Sequence, residues 1–264
     1  IAALGAWKTG RAVKLRLDRD ADMLITGKRH PFDLGYEVGF DDDGTILGIR
    51  LELAANCGRS ADLSEAVNVR AMFHADNCYY LSDVEIVSHR LKTHQPSHTA
   101  FRGFGGPQGM MLIECVIDDI ARHLGKAPRE GKRINFYGTT SRNITPYGMT
   151  VEDNIIERIV EELTQRATYR ERRSAIAAFN AASAVLKRGI ALTPVKFGIA
   201  FTATHLNQAG ALLHVYTDGS ILINHGGTEM GQGLHTKVAQ VVAEVLQVDI
   251  SRIRCSATDT SKVP

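Results

Sequence analysis

Apolar and polar residues alternate in two pairs of segments, and each pair is joined by a turn of hairpin type. The first pair covers 36–40 and 46–53 around Asp41-Asp42-Asp43-Gly44, where Gly44 supplies the positive φ that such a turn needs. The second covers 212–216 and 220–223 around a tight Asp218-Gly219. Segments 84–91 and 250–255 have strand composition as well. Elsewhere the period lengthens. Pro107 is followed by Met110, Met111, Ile113, Val116, Ile117, Ile120 and Leu124 at intervals of three and four, and Gly125 closes the run, which predicts a helix over 107–124. The charged, Ala-rich stretch 151–186 predicts two amphipathic helices, and 234–246, apolar at Val238, Val241, Val242 and Val245, predicts another. Together these elements give an α+β class: two similar halves, 1–150 and 151–264, of mixed and largely antiparallel sheet with packed helices.

Composition changes this picture little. The 264 residues are 44% hydrophobic, enough for one large core or two moderate ones. A net charge of +2, from 31 basic and 29 acidic side chains, provides no broad footprint for nucleic acid or an anionic membrane. Arg170, Arg172 and Arg173 read as a solvated helix face. Cys57, Cys78, Cys115 and Cys255 contain no C-x-x-C pair, so the expectation is reduced, mostly buried thiols and neither structural zinc nor an iron-sulfur cluster on this chain. No apolar run approaches the roughly 20 residues of a membrane span, and a cytoplasmic setting is the default. The chain opens at Ile1 without Met and stops at Pro264, which reads as a cleaved or excised piece.

Chemistry points to two glycine-rich turns that each run straight into a predicted helix: Arg102-Gly103-Phe104-Gly105-Gly106-Pro107-Gln108, and Gly226-Gly227-Thr228-Glu229-Met230-Gly231-Gln232-Gly233. Glycines let backbone amides approach a ligand, and a helix start adds unpaired donors, so each turn can hold an anion. Neither is a nucleotide fingerprint, because Gln108 stands where a dinucleotide motif has its last glycine and no Lys-Ser/Thr pair follows either turn. Phe104, a large ring flanked by glycines, has little local packing to join. Arg70 on its own reads equally well as a surface partner of Glu65 or Asp62. His89, His94 and His98 do not read as a metal cluster, since Pro96 interrupts the segment, while His225 and His235 flank the second turn and would orient it.

The run Thr99-Ala100-Phe101-Arg102-Gly103-Phe104-Gly105-Gly106-Pro107-Gln108-Gly109 resembles the signature of the molybdopterin-binding subunit of the xanthine dehydrogenase and aldehyde oxidase family. Asp22 to Phe32, Asn207 to Leu212 and Gly226 to Lys237 resemble it in the same order, so the likeness spans nearly the whole chain. The resemblance implies a molybdenum ion on a pyranopterin dithiolene, lying between the two halves. The backbone amide of Arg102 would approach its oxo group, Gly103, Gly105 and Gly106 would shape the loop, and Gln232 with Gly231 would meet the pterin. It further implies that Phe104 and Phe201 flank a flat substrate, that Thr202 contacts it, and that Arg70 stabilises charge on a purine carbonyl. Aldehyde-oxidising relatives generally lack an arginine there, so a purine or related N-heterocycle is the expected substrate, hydroxylated with oxygen from water. Iron-sulfur clusters and FAD belong, on this resemblance, to other domains or subunits of an oligomeric enzyme. The general-base glutamate lies in a motif that this chain does not contain, and Glu229 takes no such role. Two alternatives stand beside this: a folded fragment or assembly module without cofactor, and an aldehyde oxidase-type substrate range.

Overall fold

The computed structural model describes residues 1–198 and 207–256, which form two compact units, Ile1–Thr202 and Ala203–Pro264. The order in the first unit is α1 (Ala2–Thr9), α2 (Arg19–Ile25), β1 (Phe32–Phe40), β2 (Ile46–Gly58), α3 (Ser64–Phe73), β3 (Val84–Lys92), α4 (Gly106–His123), α5 (Pro128–Asn135), α6 (Ile156–Arg166) and α7 (Tyr169–Ala182). In the second unit, β4 (Ala211–Val215), β5 (Ile221–His225) and α8 (Leu234–Leu246) precede a 3-10 turn at Ile250–Arg252 and β6 (Ile253–Cys255).

The first hairpin is set by Asp41, whose Oδ1 accepts from the amides of Asp43, Gly44 and Thr45 at 3.0, 2.9 and 2.8 Å. This Asx turn fixes the register in which Phe32 faces Ala55 and Val38 faces Ile49. Behind the turn the buried amide of Asn135 accepts from Ile46 N and donates to the carbonyls of Gly44 and Gly131, tying α5 to the hairpin. Each sheet repeats one plan: an antiparallel hairpin, a helix, then a strand parallel to the second hairpin strand, giving orders β1-β2-β3 and β4-β5-β6. Both sheets are therefore mixed, because a strand returning parallel needs a helical crossover, which α3 and α8 provide.

The core of the first unit places Ile49, Leu51 and Leu53 of β2 against Ile113, Val116, Ile117 and Ile120 of α4, which the three-four spacing predicts, and against Leu112, which it does not, while Met111 of the expected stripe is exposed. The smaller core of the second packs Ile221 and Ile223 against Ala239, Val242 and Ile253. The stretch 151–186 breaks into two helices where Thr168 takes φ 45°. α6 buries Val160 in the first core, and the two compact units divide at 202/203. The expected strand over 250–255 is a 3-10 turn, nucleated by Asp249 Oδ1 on Ser251 N at 2.8 Å, followed by a strand of three residues. All four cysteines are free, but Cys115 faces outward on α4, where the periodicity puts a surface position. No helix among the described residues is long and apolar enough to cross a membrane.

Candidate functional site

The first glycine-rich turn is built by close approach. Gly103, Phe104 and Gly105 hold three consecutive positive φ values of 95°, 53° and 98°, after which α4 begins at Gly106. A Cβ on Gly105 would stand 2.0 Å from the carbonyl oxygen of Val67, and one on Gly109 would stand 2.1 Å from that of Ala71. Two glycines one helical turn apart thus let the start of α4 lie directly on the backbone of α3. Contact at this distance fixes the turn beside Arg70, which projects from α3 and is only 4% exposed.

The opposite wall comes from far along the chain. Residues 192–198 form an extended strap that polar side chains of α3, its following loop and α5 fasten at successive positions. Lys132 Nζ donates to Leu192 O at 3.2 Å, Asn77 Nδ2 donates to Pro194 O at 3.0 Å, and Asn77 Oδ1 accepts from Lys196 N at 3.1 Å. Lys196 Nζ reaches the buried carboxylate of Asp76 at 2.7 Å, where Tyr137 OH also donates at 2.6 Å. At the far end both backbone groups of one residue are held: Gly198 N–H donates to His74 Nε2 at 3.0 Å, and Gly198 O accepts from Arg70 Nη1 at 2.5 Å.

These contacts define the electrostatics. His74 Nδ1 lies 2.9 Å from the Arg70 carbonyl and must donate there, since Nε2 is already an acceptor, so the ring is the neutral Nδ1–H tautomer. Burial holds its pKa below the ordinary histidine value, helped by the Arg70 and Lys196 charges. Burial likewise raises the Asp76 carboxyl, against the pull of Lys196, and lowers the Arg70 guanidinium. The strap delivers Phe197, whose ring packs 4.8 Å from His74 and 5.3 Å from Arg70 Cζ, while the Phe104 ring lies 6.0 Å from the same cation. Two aromatic faces around one desolvated cation form an environment for a flat, electron-poor ligand that develops negative charge.

On the outer side of the turn, Arg29 Cζ lies 4.4 Å over the Phe101 ring, and Nη2 donates to Arg102 O at 2.6 Å. Its Nη1 is a buried donor without a hydrogen-bond partner, beside Gly103. An orphaned cationic donor next to a glycine turn fits an oxygen-rich anionic group, and this is the feature by which the turn suits the expected cofactor.

The second turn, in the other unit, is organised differently. Glu229 Oε1 accepts from Gly231 N and Gly233 N at 2.7 and 3.1 Å, and Oε2 from Leu234 N at 2.6 Å. These bonds hold the Glu229 carboxyl below its ordinary value against a desolvation that raises it. Glu229 therefore occupies the anion seat at the start of α8, so this turn does not offer those donors to a ligand. Gln232 folds onto its own loop, accepting from Met230 N at 2.6 Å and donating to Thr228 O at 2.8 Å. His225 Nδ1 accepts from Gly227 N at 3.1 Å, so its Nε2 carries the proton toward His235 Nδ1 at 3.2 Å. Cys255 Sγ stands in the same group, its ligand atom within 4.8 Å of both nitrogens, and donates to His235 O at 3.3 Å. An ion there would have to displace the His225 proton while Gly227 N–H still faces the other nitrogen, leaving an imidazolate; the pair braces the turn instead. Of the other histidines, His89 faces Glu52 and His98 accepts from Lys28 N.

The structure thus brings Arg70, Phe104, Gly105 and Gly106 together, flanked by Arg102 and Gly103. Gln232 and Gly231 share the second turn, and Phe201 and Thr202 lie outside the described residues. Sequence reasoning missed Arg29, His74 and Phe197. The four-residue spacing of Arg70, on α3, and His74, its C-cap, was a usable signal. Nothing in the sequence distinguishes Phe197.

A family described as molybdopterin cofactor-binding domain matches residues 1–136, and a second family of the same description matches 162–264. The chain is 48% identical, over its full length, to 19% of a xanthine dehydrogenase/oxidase from Gallus gallus, and 48% identical to 19% of xanthine dehydrogenase 1 from Arabidopsis thaliana, again with 100% of the chain covered. It therefore spans about a fifth of the length of these relatives. Among solved structures, an aldehyde oxidoreductase from Desulfovibrio gigas shares the fold, with a TM-score of 0.77 and 23% identity over 99% of this chain and 28% of that one.

Proposed function

Because the chain belongs to the molybdopterin cofactor-binding domains of the xanthine dehydrogenase family, we propose that it supplies the cofactor loop and substrate wall of an enzyme that hydroxylates purines or related N-heterocycles. The observation that carries this reading is Arg70, buried between the Phe104 and Phe197 rings at the start of the glycine turn. When bound, the molybdenum cofactor supplies two-electron oxidation with oxygen drawn from water. The residues of this chain do the remaining work. The Arg102 amide and the Arg29 guanidinium would donate hydrogen bonds to the cofactor, and Gln232 and Gly231 would meet its pterin by exchanging bonds within their own loop, to Met230, Thr228 and Glu229, for bonds to it. Phe104 and Phe201 confine the flat substrate, and Thr202 contacts it. Arg70 receives the charge that builds on a carbonyl oxygen, a charge-assisted bond of roughly 1.5–3 kcal/mol. Other segments or subunits hold the general base, the iron-sulfur clusters and the FAD, in an oligomeric assembly. In this reading residues 1–150 and 151–264 belong to two cofactor-binding subdomains, a division that lies between the two family matches.

Molybdenum per chain in natively purified protein, with intact mass on the same sample, tests the proposal. A stoichiometric value supports it; none in a sample of full-length mass would overturn it. In the loaded enzyme Arg70→Met is expected to cut purine turnover about 10- to 100-fold while sparing aldehydes, and equal losses on both would remove the role given to Arg70.

A further inference from the structure

The basic residues Arg170, Arg172 and Arg173 of α7 are exposed, as the sequence reading expects, but two of them also border a cleft. Arg129, Tyr169 and Arg173 line the shared wall of a two-lobed cleft, whose lobes measure about 360 and 370 Å³, and Arg170 lines the second lobe alone. We propose that this cleft binds a phosphorylated small molecule, a phosphate ester with an apolar or aromatic body.

The charge is concentrated and directed. Six cations, Arg129, Lys132, Arg133, Arg170, Arg173 and Arg188, line the two lobes against Asp118 and Glu130, in a chain whose total net charge is +2. Some of this charge is already used: Lys132 is held by Glu114 at 2.8 Å and Asp118 at 3.5 Å, and Arg133 by Glu157. Arg129 gives Nη2 to Glu161 at 3.2 Å, but its Nε is a buried donor with no hydrogen-bond partner. Arg170, Arg173 and Arg188 have no carboxylate partner among the described residues. A buried N–H that points at nothing, next to unpaired guanidinium groups, is a site for an acceptor with several oxygens, and the planar guanidinium fork matches phosphate.

The cleft is also preformed. Asn180 clamps the loop that carries Arg188, accepting from Arg188 N at 2.8 Å and donating to its carbonyl at 2.9 Å. The Arg188 guanidinium rests 3.8 Å over the Phe179 ring. Lys187 Nζ closes the end of α7 by donating to Asn180 O and Ser183 O. Ile176, Ala177, Ile190 and Leu192 form the apolar floor of the first lobe, which would cover the body of the ligand while the phosphate meets Arg129 and Arg173.

Calorimetric titration of the full chain with ADP, inorganic pyrophosphate and adenosine tests this. Saturable ADP binding with Kd below about 1 mM is expected, with pyrophosphate weaker and adenosine weaker still. Arg173→Glu should weaken ADP at least about tenfold, whereas Arg172→Glu, the same charge change on the same helix outside the cleft, should stay within about twofold. Arg188→Ala probes the opposite wall and repeats the test should Arg173→Glu lose its circular dichroism. No saturation by about 10 mM ADP, or equal weakening by Arg172→Glu and Arg173→Glu, would overturn the proposal. So would binding of a polyglutamate peptide without binding of ADP, which would assign the cleft to an acidic protein partner.

Discussion

Gly105 and Gly125 both sit in left-handed backbone, at φ 98° and 65°, but only one is crowded. A Cβ at Gly125 would meet nothing within 4 Å, so Gly125→Ala should lower stability only by the cost of the conformation, about 1–2 kcal/mol. At Gly105 the same atom would run into the Val67 carbonyl, forcing α4 away from α3. Gly105→Ala is therefore expected to cost more than 3 kcal/mol in urea unfolding. Similar losses at the two positions would mean that the two helices do not depend on this close approach. The sequence exposed this loop as a glycine turn, but not which glycine answers to which backbone, since Val67 lies 38 positions earlier. Glu229, to which the sequence reading gave no catalytic role, is in the structure the cap of the next helix.

At the scale of elements, legibility followed apolar periodicity. α4 and the inner strands β2 and β5 were readable because one face of each is apolar and buried, and the Asp-Gly turns marked both hairpins. α3 was not, although it holds the centre of the site, because it buries Ser64, Asn68 and Arg70 and so lacks an apolar stripe. The strap was equally hidden, since its fastening comes from polar side chains 60 to 128 positions away. That fastening should respond to pH. The unfolded chain takes up the His74 proton near 6.5, whereas the folded chain, with Nε2 committed to Gly198, takes it up only at lower pH. The unfolded state therefore binds more protons as pH falls below about 6.5, and stability present above that value is lost. Burial lowers the pKa of His30 as well, which adds a second contribution of the same sign. His74→Gln should remove the first, reducing the fall in stability between pH 7.5 and 5.5 by about 1 kcal/mol. Parallel pH profiles for variant and wild type would dismiss this role.

In the whole molecule the repeated plan of hairpin, helix and parallel strand was half visible: the hairpins were read, while the two parallel pairings had to be found in the fold. The second unit has a small core, and β4 is exposed along all five residues at the edge of its sheet, with Val215 67% exposed. Such an edge invites pairing with other chains. Val215→Lys should reduce self-association of the isolated chain in sedimentation velocity, and an unchanged distribution would show that this edge is not sticky. The strap carries a consequence for folding order. The bond from Arg70 to Gly198 closes a loop of 128 residues, whose chain-closure entropy is about 4 kcal/mol, and nothing along the strap is local enough to offset that early. The sheet and α4 can form from shorter contacts, so the wall around Arg70 is the last part of the first unit to assemble, and a chain caught just before that step would have its core in place but no site.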